Sequence, residues 1–398
     1  MLLPLAAAGP VADALTDLFL ILLAAKLGDE LFRRLDQPGL IGEIIAGALV
    51  GPAALGLVEP TETLEVFAEL GVVFLLFWVG LETRLSEMLE VGRSALLVGV
   101  LGVLLPFAGG LAVGFAAGEP TATAVFVGVA LVATSVGITS AVLLELGAIG
   151  SRAGRTILGA AVIDDILAML LLALAVGLGQ EDGVDAPALL VTVGMALAFV
   201  VFFTLGGTRL FARSPRLLHA PRFSESPLLP AVIICLGLAA FAAHIGLAAI
   251  IGAFLAGMMI AETKEQHPIE EEVAPLYAFF PPFFFAFIGT ELELTEFVNP
   301  ETLGMLAGVT LLAVVTKYVG ARLGARDLGA GEANVVALGM IPRGEVGIIV
   351  AGIGATAGVV GDQLFAVIVG MSVLTTVLVP PLLRRAVSSA QARHREVR

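Results

Sequence analysis

Apolar runs about 20 residues long, separated by short polar breaks, recur along the sequence. The pattern predicts membrane spans near 11–27, 39–58, 64–82, 93–117, 121–145, 154–178, 187–211, 228–244, 246–262, 276–292, 302–323, 332–355 and 362–383. The expected fold is therefore an all-α polytopic membrane protein of about thirteen transmembrane helices. Met1 to Pro10 lack a basic leader and a clear cleavage site and read as the lead-in to the first span.

With the N-terminus outside, the basic residues sort to one side of this frame: Lys26, Arg33 and Arg34; Arg84 and Arg93; Arg152 and Arg155; Arg209, Arg213, Arg216 and Arg222; Lys264; Arg322 and Arg326; and the tail from Arg384 to Arg398. The opposite loops carry acids such as Glu59, Glu119, Asp182, Glu293 and Asp362. That partition obeys the positive-inside rule and predicts a multi-pass protein of the cell membrane with a cytoplasmic C-terminus. Thirteen spans divide into six, a connector and six, so the halves have opposite topology and form an inverted repeat. The fifth span of each half has breakable sequence, Ala133-Thr134-Ser135-Val136-Gly137 in one and Gly339-Met340-Ile341-Pro342-Arg343-Gly344 in the other. Paired interruptions of this kind point to a substrate site at the bilayer midplane.

Composition agrees: 58% of residues are hydrophobic and only 14% charged, which sets the chain apart from soluble domains. The net charge of −14 argues against nucleic acid as a partner. A single cysteine, Cys235, excludes an intrachain disulfide framework, and His219, His244, His267 and His394 are scattered, so no resident metal or cofactor is expected.

An ionisable group in hydrocarbon is costly, so each one needs a reason. Asp164 and Asp165 sit about ten residues into their span, roughly 15 Å deep. Adjacent residues on a helix point about 100° apart. One carboxylate is therefore expected to line an ion path while the other faces a partner helix. Lys317, at matching depth in its own span, is the expected partner of Asp164, either as a proton switch or as a brace between helices. Thr134 and Ser135 offer hydroxyls beside freed carbonyls, the hard oxygen ligands that Na⁺ prefers, or they back-bond to their own helix. The expected Na⁺ ligands are Asp165, Asp164 and Thr134. Arg343 and Glu345 are expected to pair with or cap the broken half-helices. Glu43, Glu82 and Glu145 read as span-end groups in reach of water. The run Tyr277 to Phe287 reads as a bent helix facing lipid or a second subunit.

Four stretches carry a family likeness: Gly42-Glu43-Ile44-Ile45-Ala46-Gly47 with Gly51-Pro52 and Leu55-Gly56; Phe74 to Glu82; the Asp164-Asp165 helix; and Pro342-Arg343-Gly344-Glu345. Over essentially its whole length the chain resembles the monovalent cation:proton antiporter-2 family of the cation/proton antiporter superfamily. The resemblance implies a transporter rather than an enzyme, a homodimer, and an elevator-like core holding two broken, crossing helices. It divides the chain into first dimerisation helices (1–92), core helices of repeat one (93–178), a connector with its loop (179–227), second dimerisation helices (228–301), core helices of repeat two (302–383) and a basic tail (384–398). Members with adjacent Asp and a Lys in the eleventh span look like electrogenic Na⁺/H⁺ exchangers. Potassium-efflux relatives typically carry Gln at the position of Asp164 and a nucleotide-binding domain after the tail, which favours sodium here and leaves K⁺/H⁺ exchange as the alternative. Other classes fare worse. An intramembrane aspartyl protease needs its two Asp on different helices, and a channel has no use for a buried Asp–Lys pair. A Na⁺-coupled organic-anion symporter would need a spare cation, for which Arg343 is the candidate.

Overall fold

The computed structural model describes residues 10–35, 37–52, 54–84, 89–179, 186–207, 209, 228–262, 266–291, 299–356 and 358–396. Several loop charges used above, among them Arg213, Arg216, Arg222, Lys264, Asp182 and Glu293, lie outside these residues. The described chain is helical, and it falls into two packed groups.

The first group comprises α1 (Pro10–Arg34), α2 (Gly39–Val50), α3 (Glu62–Leu81), and then, later in the chain, α9 (Leu228–His244), α10 (Ala249–Ala261), α11 (Gln266–Phe279) and α12 (Pro281–Thr290). Helix α1 packs on α2, α2 and α3 on α12, α3 on α10, and α9 on α10. Glycines permit the close crossings. A Cβ on Gly80 would strike Phe254 O and one on Gly257 would strike Phe77 O, so α3 and α10 meet backbone to backbone. Such small-residue contacts are how membrane helices associate where lipid offers no hydrophobic drive.

The second group comprises α4 (Gly92–Ala116), α5 (Thr121–Ala130), α6 (Val136–Glu145), α7 (Arg152–Gly179), α13 (Pro300–Gly324), α14 (Ala330–Gly339), α15 (Glu345–Thr356) and α16 (Asp362–Glu396). Helix α4 packs on α13, α7 and α5, and α16 lies against α13, α14 and α15. Between the groups the contacts are fewer, mainly α3 with α6 and α16 with α2. Helix α8 (Ala186–Val201), continued by a π-helical turn at Phe202–Gly207, touches both α7 and α10. Among the described residues, five segments are long and apolar enough to cross a membrane alone: Glu62–Leu81, Gly92–Ala116, Ile269–Thr290, Pro300–Gly324 and Gln363–Ala392.

Local chemistry places the helix ends. Pro38 and Pro120 precede α2 and α5, and Pro300 opens α13 behind Asn299, whose Oδ1 accepts from Glu301 N at 3.0 Å. Four expectations are corrected. The span at 39–58 is helical only to Val50, because Pro52 disfavours helix at Gly51; the chain then turns through Gly56 at φ 59°. The span expected at 276–292 starts at Gln266, since Glu270 to Glu272 continue the helix, and Glu272 Oε2 accepts from Leu228 N at 3.0 Å, capping α9. The middle of its aromatic run is buried within the chain rather than facing outward: Phe283, Phe284 and Phe285 are buried and Phe280 stacks on Phe74, while Phe279 stays exposed. The residues after 383 continue α16 as far as Glu396, a run of Ala, Arg and Gln with good helix propensity.

Candidate functional site

The second group is organised around two helices that stop and restart. Between α14 and α15 the cause is covalent. Pro342 has no N–H to donate and pushes Ile341 out of the helical region, so Met340–Gly344 runs non-helical. Between α5 and α6 the interrupted stretch, 131–135, contains neither Pro nor Gly, and its break is held by the other one. Ser135 N donates to Pro342 O at 2.8 Å, Thr139 Oγ1 to Gly339 O at 2.6 Å, and Thr134 Oγ1 reaches Met340 O at 3.5 Å. The two interruptions therefore cross and satisfy each other's orphan backbone groups. The crossing is tight. A Cβ on Gly344 would lie 2.6 Å from Ser135 Oγ and 2.7 Å from its Cβ, so a side chain there would push the breaks apart.

Two cations close the C-terminal end of α5. Lys317 Nζ donates to Val132 O at 2.7 Å, and Arg343 Nη1 donates to Ala133 O at 2.9 Å. Both side chains are 0% exposed. Carbonyls freed at a helix C-terminus carry partial negative charge, which buried cations complement. Arg343 is itself clamped by α16: its N donates to Thr375 Oγ1 at 3.0 Å, and Thr376 Oγ1 donates to its carbonyl at 2.6 Å. Lys317 reaches this point because Gly320 and Gly324, on the same face of α13, let that helix press on the α4 backbone at Leu101 and at Leu97–Val98. Gly102 of α4 runs alongside the lysine chain; a Cβ there would meet Lys317 Cε in ordinary contact at 3.5 Å.

Helix α7 supplies the two carboxylates. Asp164 is twelve residues from Arg152, about 18 Å along a helix of roughly 42 Å. It is 0% exposed, and its Oδ1 receives Lys317 Nζ at 2.7 Å. Its Oδ2 is buried with no hydrogen-bond partner among the described residues. Leaving a buried acceptor unmet costs about 1–3 kcal/mol. Asp165 points elsewhere, as neighbouring helical positions must. It lines a cavity of about 20 Å³ with Leu76, Val136, Leu158, Ala161, Val162, Ile250, Ile251 and Phe254. That volume holds about one water. The cavity lies where α7 and the start of α6 meet α3 and α10 of the other group.

The structure thus joins Asp164, Lys317, Arg343 and the first break, and sets Asp165 one step away on the boundary between the groups. Thr134 and Ser135, both buried, do not line the Asp165 cavity. Glu345 begins α15, and its side chain lies outside the described residues. Sequence reasoning missed the carbonyls of Val132 and Ala133, the hydroxyls of Thr139, Thr375 and Thr376, and the apolar cavity wall from α3 and α10. Pro342 is the signal that could have found the hydroxyls, since a proline break leaves carbonyls and amides that need partners. Glu43 is corrected too: it is buried at 6% exposure and lies 3.6 Å from Lys26 Nζ, rather than facing water.

The sequence model of the family described as sodium/hydrogen exchanger, transmembrane, matches residues 19–386. The chain is 39% identical over 368 residues to the Na(+)/H(+)-K(+) antiporter GerN of Bacillus cereus, covering 92% of this chain and 94% of that protein. It is 34% identical over 423 residues to the high-affinity Na(+)/H(+) antiporter NhaS3 of Synechocystis sp., covering 96% and 91%. In fold it is similar to the solved structure of the sodium proton antiporter MjNhaP1 from Methanocaldococcus jannaschii at pH 8, with a TM-score of 0.68 at 17% identity over 96% of this chain and 98% of that one. The family match spans both broken helices and both carboxylates, and the chain belongs to the transmembrane sodium/hydrogen exchanger family of the cation/proton antiporter superfamily.

Proposed function

We propose that this protein exchanges Na⁺ or Li⁺ for H⁺ across the cell membrane, with Asp165 as the carboxylate that binds cation and proton in turn. The observation that carries the reading is the Asp165 cavity. It lies beside the middle of α7, the one charged group among its described lining residues is a carboxylate, and its walls are apolar. A small cation can shed its water there only by gaining that charge, and a proton competes for the same oxygens. An organic anion meets both a like charge and a void far below the several hundred Å³ of ordinary small-molecule sites.

In this account Thr134, Ser135 and freed carbonyls of the first break complete the oxygen shell when the core moves, with Asp164 contributing after Lys317 releases it. Lys317 is then a switch, and Arg343 remains as a fixed charge on the Val132–Ala133 carbonyls. The α4–α7 and α13–α16 group is the mobile core, and the α1–α3 and α9–α12 group is the dimerisation domain of a homodimer. The sparse packing between the groups supports this division. Thirteen spans as an inverted repeat, an outside N-terminus, an elevator-like motion and the antiporter-2 branch belong to the same proposal. The spans, their repeat and their orientation rest on the apolar runs, the basic-residue partition and the paired breaks, and the elevator-like motion and the branch rest on the family resemblance alone.

Potassium is the second reading, because the 39% identical relative is named a Na(+)/H(+)-K(+) antiporter. Inverted vesicles holding a preformed pH gradient separate the two. Added Na⁺ and Li⁺ are expected to collapse the gradient at lower concentrations than K⁺. A K⁺ response at equal or lower concentration would move the assignment to potassium.

A further inference from the structure

Ser140 is 0% exposed, and its Oγ has no hydrogen-bond partner among the described residues. Buried hydroxyls elsewhere in these helices return to their own backbone one turn earlier: Thr83 Oγ1 donates to Val79 O at 2.7 Å, Thr156 Oγ1 to Arg152 O at 2.7 Å, and Ser372 Oγ to Ile368 O at 3.0 Å. Ser140 departs from that pattern. A buried hydroxyl left unmet costs free energy that an alanine at the same place would not.

Its position gives the hydroxyl a use. On α6, Ser140 stands four residues from Val136, which lines the Asp165 cavity, and three from Gly137, where a Cβ would lie 3.0 Å from Val72 Cγ2 and 3.3 Å from Phe284 Cε1. Residues three and four apart share a helix face. Ser140 therefore lies on the face that α6 turns towards the first helix group. Its height follows from the neighbouring Thr139: a Cβ on Gly339 would lie 3.1 Å from Thr139 Cγ2 and 2.6 Å from Ile157 Cδ1, which sets this turn of α6 level with Ile157 and Leu158 of α7. Leu158 lines the cavity and precedes Asp165 by seven residues, about 10 Å of helix. Ser140 does not itself line the cavity. It stands beyond the Leu158 end, on the side of Glu145 and Arg152, the cytoplasmic side in the orientation proposed above.

We propose that Ser140 is a further cation-binding residue: its Oγ replaces one water oxygen of the Na⁺ shell as the ion passes between the cytoplasmic face and Asp165. The role rests on the reading of Asp165 as the exchange site. A hydroxyl is a hard but neutral oxygen ligand. It can steady a partly dehydrated cation between apolar walls without holding it as a second carboxylate would. The boundary between the helix groups is also where a moving core parts from its neighbour, so the ion and its water reach Ser140 there.

Inverted vesicles, which present the cytoplasmic face to the bath, supply the test. Ser140→Ala is expected to raise the Na⁺ concentration for half-maximal collapse of a pH gradient about three- to tenfold, while the unfolding midpoint of the purified variant is no lower than that of wild type. Ser372→Ala, which removes a hydroxyl bonded to its own helix, should leave that concentration unchanged. A second arm does not need transport and also serves should Ser140→Ala not fold. In a Cys235→Ala background, the thiol introduced by Ser140→Cys is expected to react with a small cationic thiol reagent added to the bath, and to react more slowly with Na⁺ present. The assignment is overturned if wild type exchanges Na⁺ and Ser140→Ala keeps the wild-type half-maximal concentration, if the rise comes with a lowered unfolding midpoint, or if the introduced thiol is unreactive or indifferent to Na⁺. Absence of exchange in wild type would strike the transport reading instead, and the thiol arm would still decide whether Na⁺ reaches Ser140.

Discussion

Asp165→Asn is expected to reduce cation-driven proton movement to the level of empty vesicles while the protein stays folded. Asn has nearly the shape of Asp and keeps the cavity filled to the same extent. What it removes is the charge, and in this account that charge binds both transported ions. The fold should tolerate the change, because the buried pair that joins α7 to α13 is made by Asp164, with Lys317 Nζ on its Oδ1 at 2.7 Å. Asp164→Asn is expected to behave differently. It leaves Lys317 fully buried without its counter-charge, and breaking a buried pair from one side costs about 3–5 kcal/mol. Two adjacent carboxylates should thus separate cleanly, one variant inactive but stable, the other destabilised. Measuring gradient collapse together with the thermal unfolding midpoint of each variant checks both halves. Wild-type exchange in Asp165→Asn would move the site elsewhere.

The second large effect is on the electrical character of exchange. In the proton-loaded core Asp165 is neutral and Asp164 pairs with charged Lys317. In the sodium-loaded core both carboxylates are charged and Lys317 has released its proton. Two protons leave for each Na⁺ that arrives, so one net charge moves per cycle, and each charge crossing 100 mV is worth about 2.3 kcal/mol. Lys317→Gln removes one of the two titrating protons but keeps an amide able to donate to Asp164 or Val132 O. Arg343 still holds the Ala133 carbonyl at 2.9 Å. The variant is expected to exchange one proton for one Na⁺ at a reduced rate, and to lose its response to an imposed membrane potential. Liposomes with a potassium diffusion potential provide the comparison. Equal voltage dependence in wild type and variant would mean that Lys317 only braces α13 against α7.

Much of this architecture can be read from residue order. A membrane penalises charge so strongly that Asp164, Asp165 and Lys317 stand out in otherwise apolar runs, and the depth estimates that matched Lys317 with Asp164 need only the rise per residue of a helix. Pro342 announces its own break. Other features depend on partners that no local pattern names. The stretch 131–135 has no breaker residue, and it stays open because Ser135, Thr134 and Thr139 bond across to the second break. Hydropathy reports that a segment leaves water, but not whether it meets lipid or protein, which is why Phe283, Phe284 and Phe285 are buried within the chain although the run Tyr277 to Phe287 reads as facing lipid or a second subunit. The same blindness hides Leu76, Ile250, Ile251 and Phe254, apolar residues of α3 and α10 whose importance comes only from facing Asp165. Glu43 looked like a span-end group, yet the neighbouring α1, which brings Lys26 to 3.6 Å, buries it.

The central claim, that this chain couples monovalent cation movement to proton movement through Asp165, is tested most directly in liposomes containing only the purified protein and a pH-sensitive dye. With Na⁺ loaded inside and diluted outside, outward Na⁺ flow is expected to acidify the lumen, at a rate that depends on external Na⁺ and falls to background with Asp165→Asn. A lumen pH that does not respond to a Na⁺, Li⁺ or K⁺ gradient across pH values from about 6 to 9, in liposomes shown to contain folded protein, would contradict the account.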